Sequence, residues 1–278
     1  MKLNAYAKIN LSLDITGTRD DGYHLLKTVM QTVSLCDKVS VDKAESITLT
    51  CSDSSVPTDD KNTAVKAAKA FFEFTGINTG AEIHIEKHIP SEAGMGGASA
   101  DAAAVIKALN ELYETNLSSE ILLKIGLSVG ADVPFCMVGG TALCEGIGEQ
   151  ISPLKSIPDC FIVIAQPESG ISTKEAYGAY DNGSYENSEY TDKLLNNMSD
   201  IKNIAENLGN IFEELASNPD VDIIKMQMKS AGAIGACMTG SGSVVYGIFD
   251  DEDKAKFCVS ELSEDYKTVE LTKPQFEI

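Results

Sequence analysis

Positive charge is scarce in this chain. Its 22 Lys and Arg stand against 42 Asp and Glu, a formal charge of −20 over 278 residues. Such a surface repels nucleic-acid backbones and anionic membranes, so neither is expected as a partner. An anionic small molecule is not excluded, because a few lysines and backbone N–H groups can make one positive pocket. No apolar run reaches about 18 residues, which excludes a membrane-spanning helix. The opening MKLNAYAKINLSLDI alternates like a strand and lacks the apolar block and cleavage site of a signal peptide, so a cytoplasmic protein is expected. The seven cysteines (36, 51, 136, 144, 160, 237 and 258) form no C-x-x-C pair and are odd in number. Most lie in apolar runs such as CFIVIAQ, which reads as reduced core residues rather than disulfides or zinc ligands. The three histidines, His24, His84 and His88, make no metal cluster, and His84 lies on the polar face of its strand. There is no internal repeat and no low-complexity segment.

What is present suits a folded α+β protein. Apolar residues make up 43% of the chain, ample for a core. Alternation and turn residues predict strands at 3–15, 25–35, 37–43, 46–52, 81–87, 160–167, 234–239, 243–249 and 266–272, with a hairpin at 140–151. Helical spacing predicts helices at 62–75, 98–113, 118–129, 191–198, 205–217, 219–230 and 252–263. Gly130 is expected to cap the third of these and Pro134 to stop it. Segment 181–192 is polar and reads as an exposed loop. Strands and helices in both halves suggest two lobes meeting near 150–160, with a cleft between them as the natural place for a ligand.

The most informative stretch is PSEAGMGGASADAAA, Pro90 to Ala104. It follows a short alternating strand and runs into a helical pattern. Glycines at 94, 96 and 97 let another backbone or a phosphate approach closely. Ser99 and Asp101 read as helix-start residues. A glycine loop opening a helix gathers free N–H donors and the positive end of the helix dipole, which suits a phosphate. The alternative is a plain connecting turn, and neither G-x-x-x-x-G-K-[ST] nor G-x-G-x-x-G is present in the stretch.

Three other places stand out. Lys8 in AYAKINLSL shares a strand face with Asn10 and Ser12, a face that either meets solvent or lines a cleft. Asp132 in GADVPF is either a cap or a desolvated carboxylate placed for proton chemistry. Gly240, Ser241 and Gly242 in MTGSGSVVYG make a second small-residue turn between strands.

Together these pieces resemble the GHMP kinases. That superfamily has an N-terminal strand with a lysine, a central Pro-x-x-x-Gly-Leu-Gly-Gly-Gly-Ser-Ser/Ala loop and a C-terminal Gly-Ser-Gly turn. All three occur here in order, with Met95 for the usual Leu and Ala98 for the third consecutive glycine. The resemblance implies a two-lobed α+β fold: a ribosomal-protein-S5-like lobe over 1–155 and a ferredoxin-like α/β-plait lobe over 156–278. It implies an ATP-dependent small-molecule kinase using Mg²⁺, with Lys8 and Asp132 as the catalytic pair. ATP would lie on Pro90, Ser91, Glu92, Ala93, Gly94, Met95, Gly96, Gly97, Ala98, Ser99 and Ala100, with the turn Gly240–Gly242 beside it and Ser99 near the metal.

Within the superfamily, the opening with Asp-Gly-Tyr-His at 21–24 is similar to the branch that phosphorylates the tertiary hydroxyl of a CDP-linked methylerythritol on the non-mevalonate route to isoprenoids. That likeness implies substrate contacts from Asn10, Tyr23, His24 and Tyr177, and a monomer or weak homodimer. The rivals are a homoserine or mevalonate-type kinase, and a nucleotide-binding sensor without catalysis. The Asp-Gly-Tyr-His run argues against the first, and the retention of both Lys8 and Asp132 against the second.

Overall fold

A computed structural model describes residues 1–170, 172–183, 188–215 and 218–278. In chain order the elements are β1 (Lys2–Thr18), β2 (His24–Ala44), β3 (Thr48–Cys51), α1 (Thr63–Thr75), β4 (Gly80–Glu86), α2 (Gly97–Leu112), α3 (Ser119–Val129), α4 (Val133–Val138), β5 (Thr141–Gly146), β6 (Gln150–Pro153) and β7 (Phe161–Gln166). Then follow α5 (Thr173–Asn182), α6 (Tyr190–Leu195), α7 (Ile201–Glu206), β8 (Gly209–Asn210), α8 (Ile211–Leu215), α9 (Pro219–Ser230), β9 (Gly235–Met238), β10 (Val245–Phe249), α10 (Glu252–Leu262) and β11 (Thr268–Thr272).

Two sheets result. The larger has the order β3-β4-β2-β1-β8, with β5 also on β2 and β6 on β5; the smaller has the order β11-β7-β10-β9 and is antiparallel throughout. The smaller sheet, with α9 and α10 between its strands in sequence, has the alternation of a ferredoxin-like plait. The expected boundary at 155–156 falls between β6 and β7, but the two halves are not sealed off from each other. β8 adds to β1 in parallel, and one hydrophobic core holds Ile9 and Val105 together with Ile164 and Tyr246.

Local chemistry accounts for most of the elements. Asn62 caps α1 by accepting from the Ala64 N–H, Gly76 ends it at φ +69°, and Ala64, Ala68, Phe71 and Phe72 are buried as their spacing predicts. In β4 the alternation is strict: Ala81, Ile83 and Ile85 are buried while Glu82, His84 and Glu86 are exposed. All seven cysteines are free thiols, and burial pushes Cys144 and Cys160 each up to about 12.

Several expectations are corrected. The strands expected at 25–35 and 37–43 are one 21-residue strand, β2, which changes neighbour instead of turning: it pairs with β5 from Leu26 and with β4 from Lys38. Pro134 starts α4 rather than stopping α3, since a missing N–H costs nothing in a first turn. The helix expected over 205–217 is broken near 207–210. There Asn210 gives its side-chain amide to the carbonyls of Met238 and Gly240 and accepts from the Phe212 N–H. Residues 216 and 217 of that expected helix, and 184–187 of the expected loop, lie outside the described residues. α5 was not expected, because Ala176 is its one buried residue and no apolar stripe marks it. Its signal is the Ser172–Glu175 capping box, present in both directions. Among the described residues no helix is long and apolar enough to cross a membrane.

Candidate active site

The site is built where β1, the glycine loop, α4 and the turn after β9 converge. Lys8 is carried by β1 just after a register shift in its pairing with β2. Its backbone N–H does not join the ladder but donates to the Met95 carbonyl of the glycine loop at 3.0 Å. Its Nζ donates to Asn10 Oδ1 at 2.8 Å and lies 3.6 Å from Asp132 Oδ2. The Lys8 side chain is 5% exposed and that of Asp132 33%. At 3.6 Å the charges attract but no hydrogen bond forms, so the Asp132 carboxylate is free to accept from another donor. Asp132 occupies the N-cap position of α4, yet its side chain caps nothing. The cap reading of this residue therefore fails, and the carboxylate faces the cleft.

Two cavities flank the glycine loop. One, of about 520 Å³, is lined by Lys8, Asn10, Asp132, Thr173, Tyr177, Phe212 and the turn Gly240–Gly242. The other, of about 530 Å³, is lined by Val56, Pro57, Asn62, Lys87, Asp101 and the loop from Pro90 to Ser99. Glu92, Gly94 and Gly96 line both. Each has the size of a small-molecule site. The loop is thus the wall between two compartments, with Lys8 and Asp132 on one side of it and Ser99 on the other.

The glycines are required by protein contacts as well as by any ligand. Gly94, at φ +71°, presses on the Thr239 carbonyl, and a β-carbon on Gly240 would stand 2.8 Å from the Gly94 carbonyl oxygen. Gly96, at φ +70°, is the N-cap of α2 and lies over the Lys8 stem. Ser99 therefore sits inside the first turn of α2, not at its cap. Asp101 is not a helix-start residue either, because it is buried and ion-paired to Lys87.

Asn10 ties these parts together. Its Oδ1 accepts from Lys8 Nζ, from Thr239 Oγ1 at 3.2 Å and from the Gly240 N–H at 3.0 Å, while its Nδ2 donates to Thr28 Oγ1 at 2.8 Å. Asn10 borders the cavity, but its polar atoms are engaged within the protein. Tyr177 lines the far wall; His24, which does not line the cavity, stacks on it with ring centroids 4.7 Å apart and bonds Asp181 at 2.7 Å. Tyr177 also meets Phe212 edge-on at 4.9 Å. Burial, then the Asp132 charge, pushes the Tyr177 hydroxyl up to about 12, so the ring stays neutral. Tyr23 is not brought to the cavity: it stands at the tip of the β1–β2 hairpin, 60% exposed.

Sequence reasoning missed a buried ionic cluster beside the second cavity. Lys87 pairs with Asp37 and, at 3.0 Å, with Asp101; Asp37 also accepts from the backbone N–H groups of His88 and Ile89. Burial pushes Asp101 up to about 7, against the pull of Lys87, and its Oδ1 is buried without a partner. The Lys87 position just after the strict alternation of β4 was a signal, but its two carboxylates come from distant elements.

The comparisons with known proteins bear on this geometry. Residues 62–140 match the GHMP kinases N terminal domain and residues 188–268 the GHMP kinases C terminal domain. A 4-diphosphocytidyl-2-C-methyl-D-erythritol kinase of Clostridium beijerinckii is 47% identical over 98% of this chain and 99% of its own length. The chain belongs to the 4-diphosphocytidyl-2-C-methyl-D-erythritol kinases, within the GHMP kinases. A crystal structure of a 4-(cytidine 5′-diphospho)-2C-methyl-D-erythritol kinase superposes with a TM-score of 0.84 at 30% identity, covering 99% of this chain and 100% of that one. A mevalonate kinase structure superposes with a TM-score of 0.74 at 17% identity over the full length of both chains, a likeness of fold alone. The architecture around the cleft is thus that of a GHMP kinase, and the chain is a small-molecule kinase.

Proposed function

We infer that the cleft transfers the γ-phosphoryl group of ATP to the tertiary 2-hydroxyl of 4-diphosphocytidyl-2-C-methyl-D-erythritol, a step of the non-mevalonate supply of isopentenyl diphosphate. The observation that carries this reading is the 3.6 Å approach of Lys8 Nζ to Asp132 Oδ2 beside the glycine-loop wall. ATP lies in the Lys87 and Ser99 compartment, its terminal phosphate reaching over Gly94 and Gly96. The alcohol lies in the Asp132 compartment, with the cytosine against Tyr177.

Asp132 takes the proton of the hydroxyl as the phosphoryl group arrives. Lys8 sets a positive charge 3.6 Å from that carboxylate and offsets negative charge on the moving phosphoryl oxygens. A positioned base of this kind contributes on the order of 10²–10⁴ in rate. Holding the crowded alcohol in line with the phosphate supplies much of the rest. His24 stacks on Tyr177 without lining the cavity, so the base would meet the Tyr177 ring from the cavity side.

Among the described residues no three His, Cys, Asp or Glu side chains gather to hold a metal ion. A Mg²⁺ ion bound chiefly through phosphates and its own waters would find the Ser99 hydroxyl on the loop's ATP side as a protein donor. Bound there, the ion would spread phosphate charge. Turnover of ATP with the CDP-linked alcohol, set beside homoserine, mevalonate and no acceptor, tests the reading. Phosphorylation of the CDP-linked alcohol alone is expected; equal turnover of another acceptor would overturn it.

A further inference from the structure

The larger sheet has a gap at its centre. β2 pairs with β5 from Leu26 to Gln31 and with β4 from Lys38 to Ala44, so residues 32–37 face neither strand. The chain after β11 fills that gap. The Ser34 N–H donates to the Lys273 carbonyl at 2.8 Å, the Gln275 N–H donates to the Thr32 carbonyl at 2.8 Å, and Val33 bridges Pro274. Thr272 Oγ1 accepts from the Leu35 N–H at 2.9 Å.

The residue gripped this way is the one opposite Lys8. Thr32 is the β2 partner of Lys8, and its own N–H donates to the Gly140 carbonyl at 2.9 Å. Gly139, just before it, ends α4. The segment runs on over that end: a β-carbon on Gly139 would stand 2.7 Å from Ile278 Cδ1. α4 is six residues long, and its other end is Asp132. One short segment therefore touches the strand facing Lys8 and the helix that presents Asp132, while neither Gln275 nor Ile278 lines the cleft.

We propose that residues 273–278 form a strap that sets the separation of Lys8 and Asp132, with Gln275 and Ile278 as positioning residues. The strap rests on the reading of Lys8 and Asp132 as the catalytic pair. A helix of under two turns has no slack, so a shift at Gly139 reaches Asp132. Misplacement of a reacting group by about 1 Å costs roughly 10²-fold in rate. The same segment joins β11 of the smaller sheet to β2 of the larger, so it also holds the two sheets in one arrangement.

Gln275→Pro removes the N–H given to Thr32, and Ile278→Gly uncovers Gly139. Each is expected to lower kcat about tenfold or more, with KM for ATP and for the CDP-linked alcohol within about twofold. Ile278→Leu should recover at least half of wild-type kcat. Circular dichroism and Tm, measured alongside, put kcat on a folded-molecule basis. An unchanged kcat per folded molecule, even with a lower Tm, would overturn the strap, as would a raised KM with kcat intact. If Gln275→Pro fails to fold, Ile278→Gly decides, since residue 278 is 41% exposed. Asp132→Asn in the same series separates the two claims. An inactive Asp132→Asn beside unaffected strap variants overturns the strap alone, and an active Asp132→Asn overturns the catalytic pair itself.

Discussion

Gly96 lies directly over the stem of Lys8: a β-carbon there would stand 3.1 Å from Lys8 Cγ and 3.3 Å from Cε. The glycine loop and the lysine are therefore one packed unit, and the loop cannot be widened without moving the amine. Gly96→Ala is strained by its φ of +70° and pushes on Lys8. It should lower kcat as well as ATP affinity, about tenfold or more in kcat/KM, because a displaced amine costs transition-state charge stabilisation. Steady-state kinetics with ATP varied checks this; a rise in KM for ATP with kcat intact would mean that the loop acts on the nucleotide alone.

Asp132→Asn keeps the shape of the N-cap position, where the side chain makes no cap bond. Folding and ATP binding should therefore be nearly unchanged. Turnover should fall by about two to four powers of ten, the range for a positioned base. Lys8→Met, which keeps most of the buried stem volume, should fall comparably. Calorimetry for ATP binding beside single-turnover rates separates the steps, and near-normal rates in both variants would remove the pair from the chemistry.

The Lys87 cluster makes stability depend on pH in a defined direction. Asp101 is raised from an ordinary 3.8 to about 7, chiefly by burial, with the Asp37 charge adding to the rise and Lys87 opposing it. Between those values the folded protein keeps a proton that the unfolded chain has lost. Its contribution to stability is therefore fully present below pH 4 and is lost as pH rises through 7. Asn cannot titrate. The stability difference between wild type and Asp101→Asn, from denaturant titrations at pH 4.5 to 7.5, should shift against the wild type as pH rises. A flat difference would show that Asp101 is ionised throughout.

Tyr177 lines the cleft as a neutral aromatic ring, with Phe212 edge-on to it in the same wall. Tyr177→Ala should raise KM for the CDP-linked alcohol several-fold and leave KM for ATP almost unchanged, since stacking of this kind is worth about 0.5–1.5 kcal/mol beyond burial. CMP should inhibit better than UMP, because a uracil edge leaves cytosine-matched donors or acceptors unpaired. Equal inhibition by the two nucleotides would refute cytosine reading.

What the sequence determined by itself is local. The alternation of β4, the apolar face of α1 and the passage from a glycine loop into a helix each rest on side-chain periodicity or backbone freedom within a few residues, although the helix starts at Gly97 rather than at Ser99. The three motifs with their order along the chain were enough to place it among the GHMP kinases. The tertiary structure decided what meets what. The 3.6 Å approach of Lys8 to Asp132, the bonds from Asn10 to Thr239 and Gly240, and the burial of Lys87 between Asp37 and Asp101 join residues far apart in the chain. The tertiary structure also decided that β2 runs on through residue 36, which pairs with Tyr6 of β1, with the strap bonded to Thr32 and Ser34 before it and β4 pairing from Lys38 after it. Tyr23 shows the limit from the other side: its motif is legible, but its ring stands at a hairpin tip outside the cavity. Periodicity reports which face of an element is apolar, and only the packing of elements against one another reports which faces are opposed.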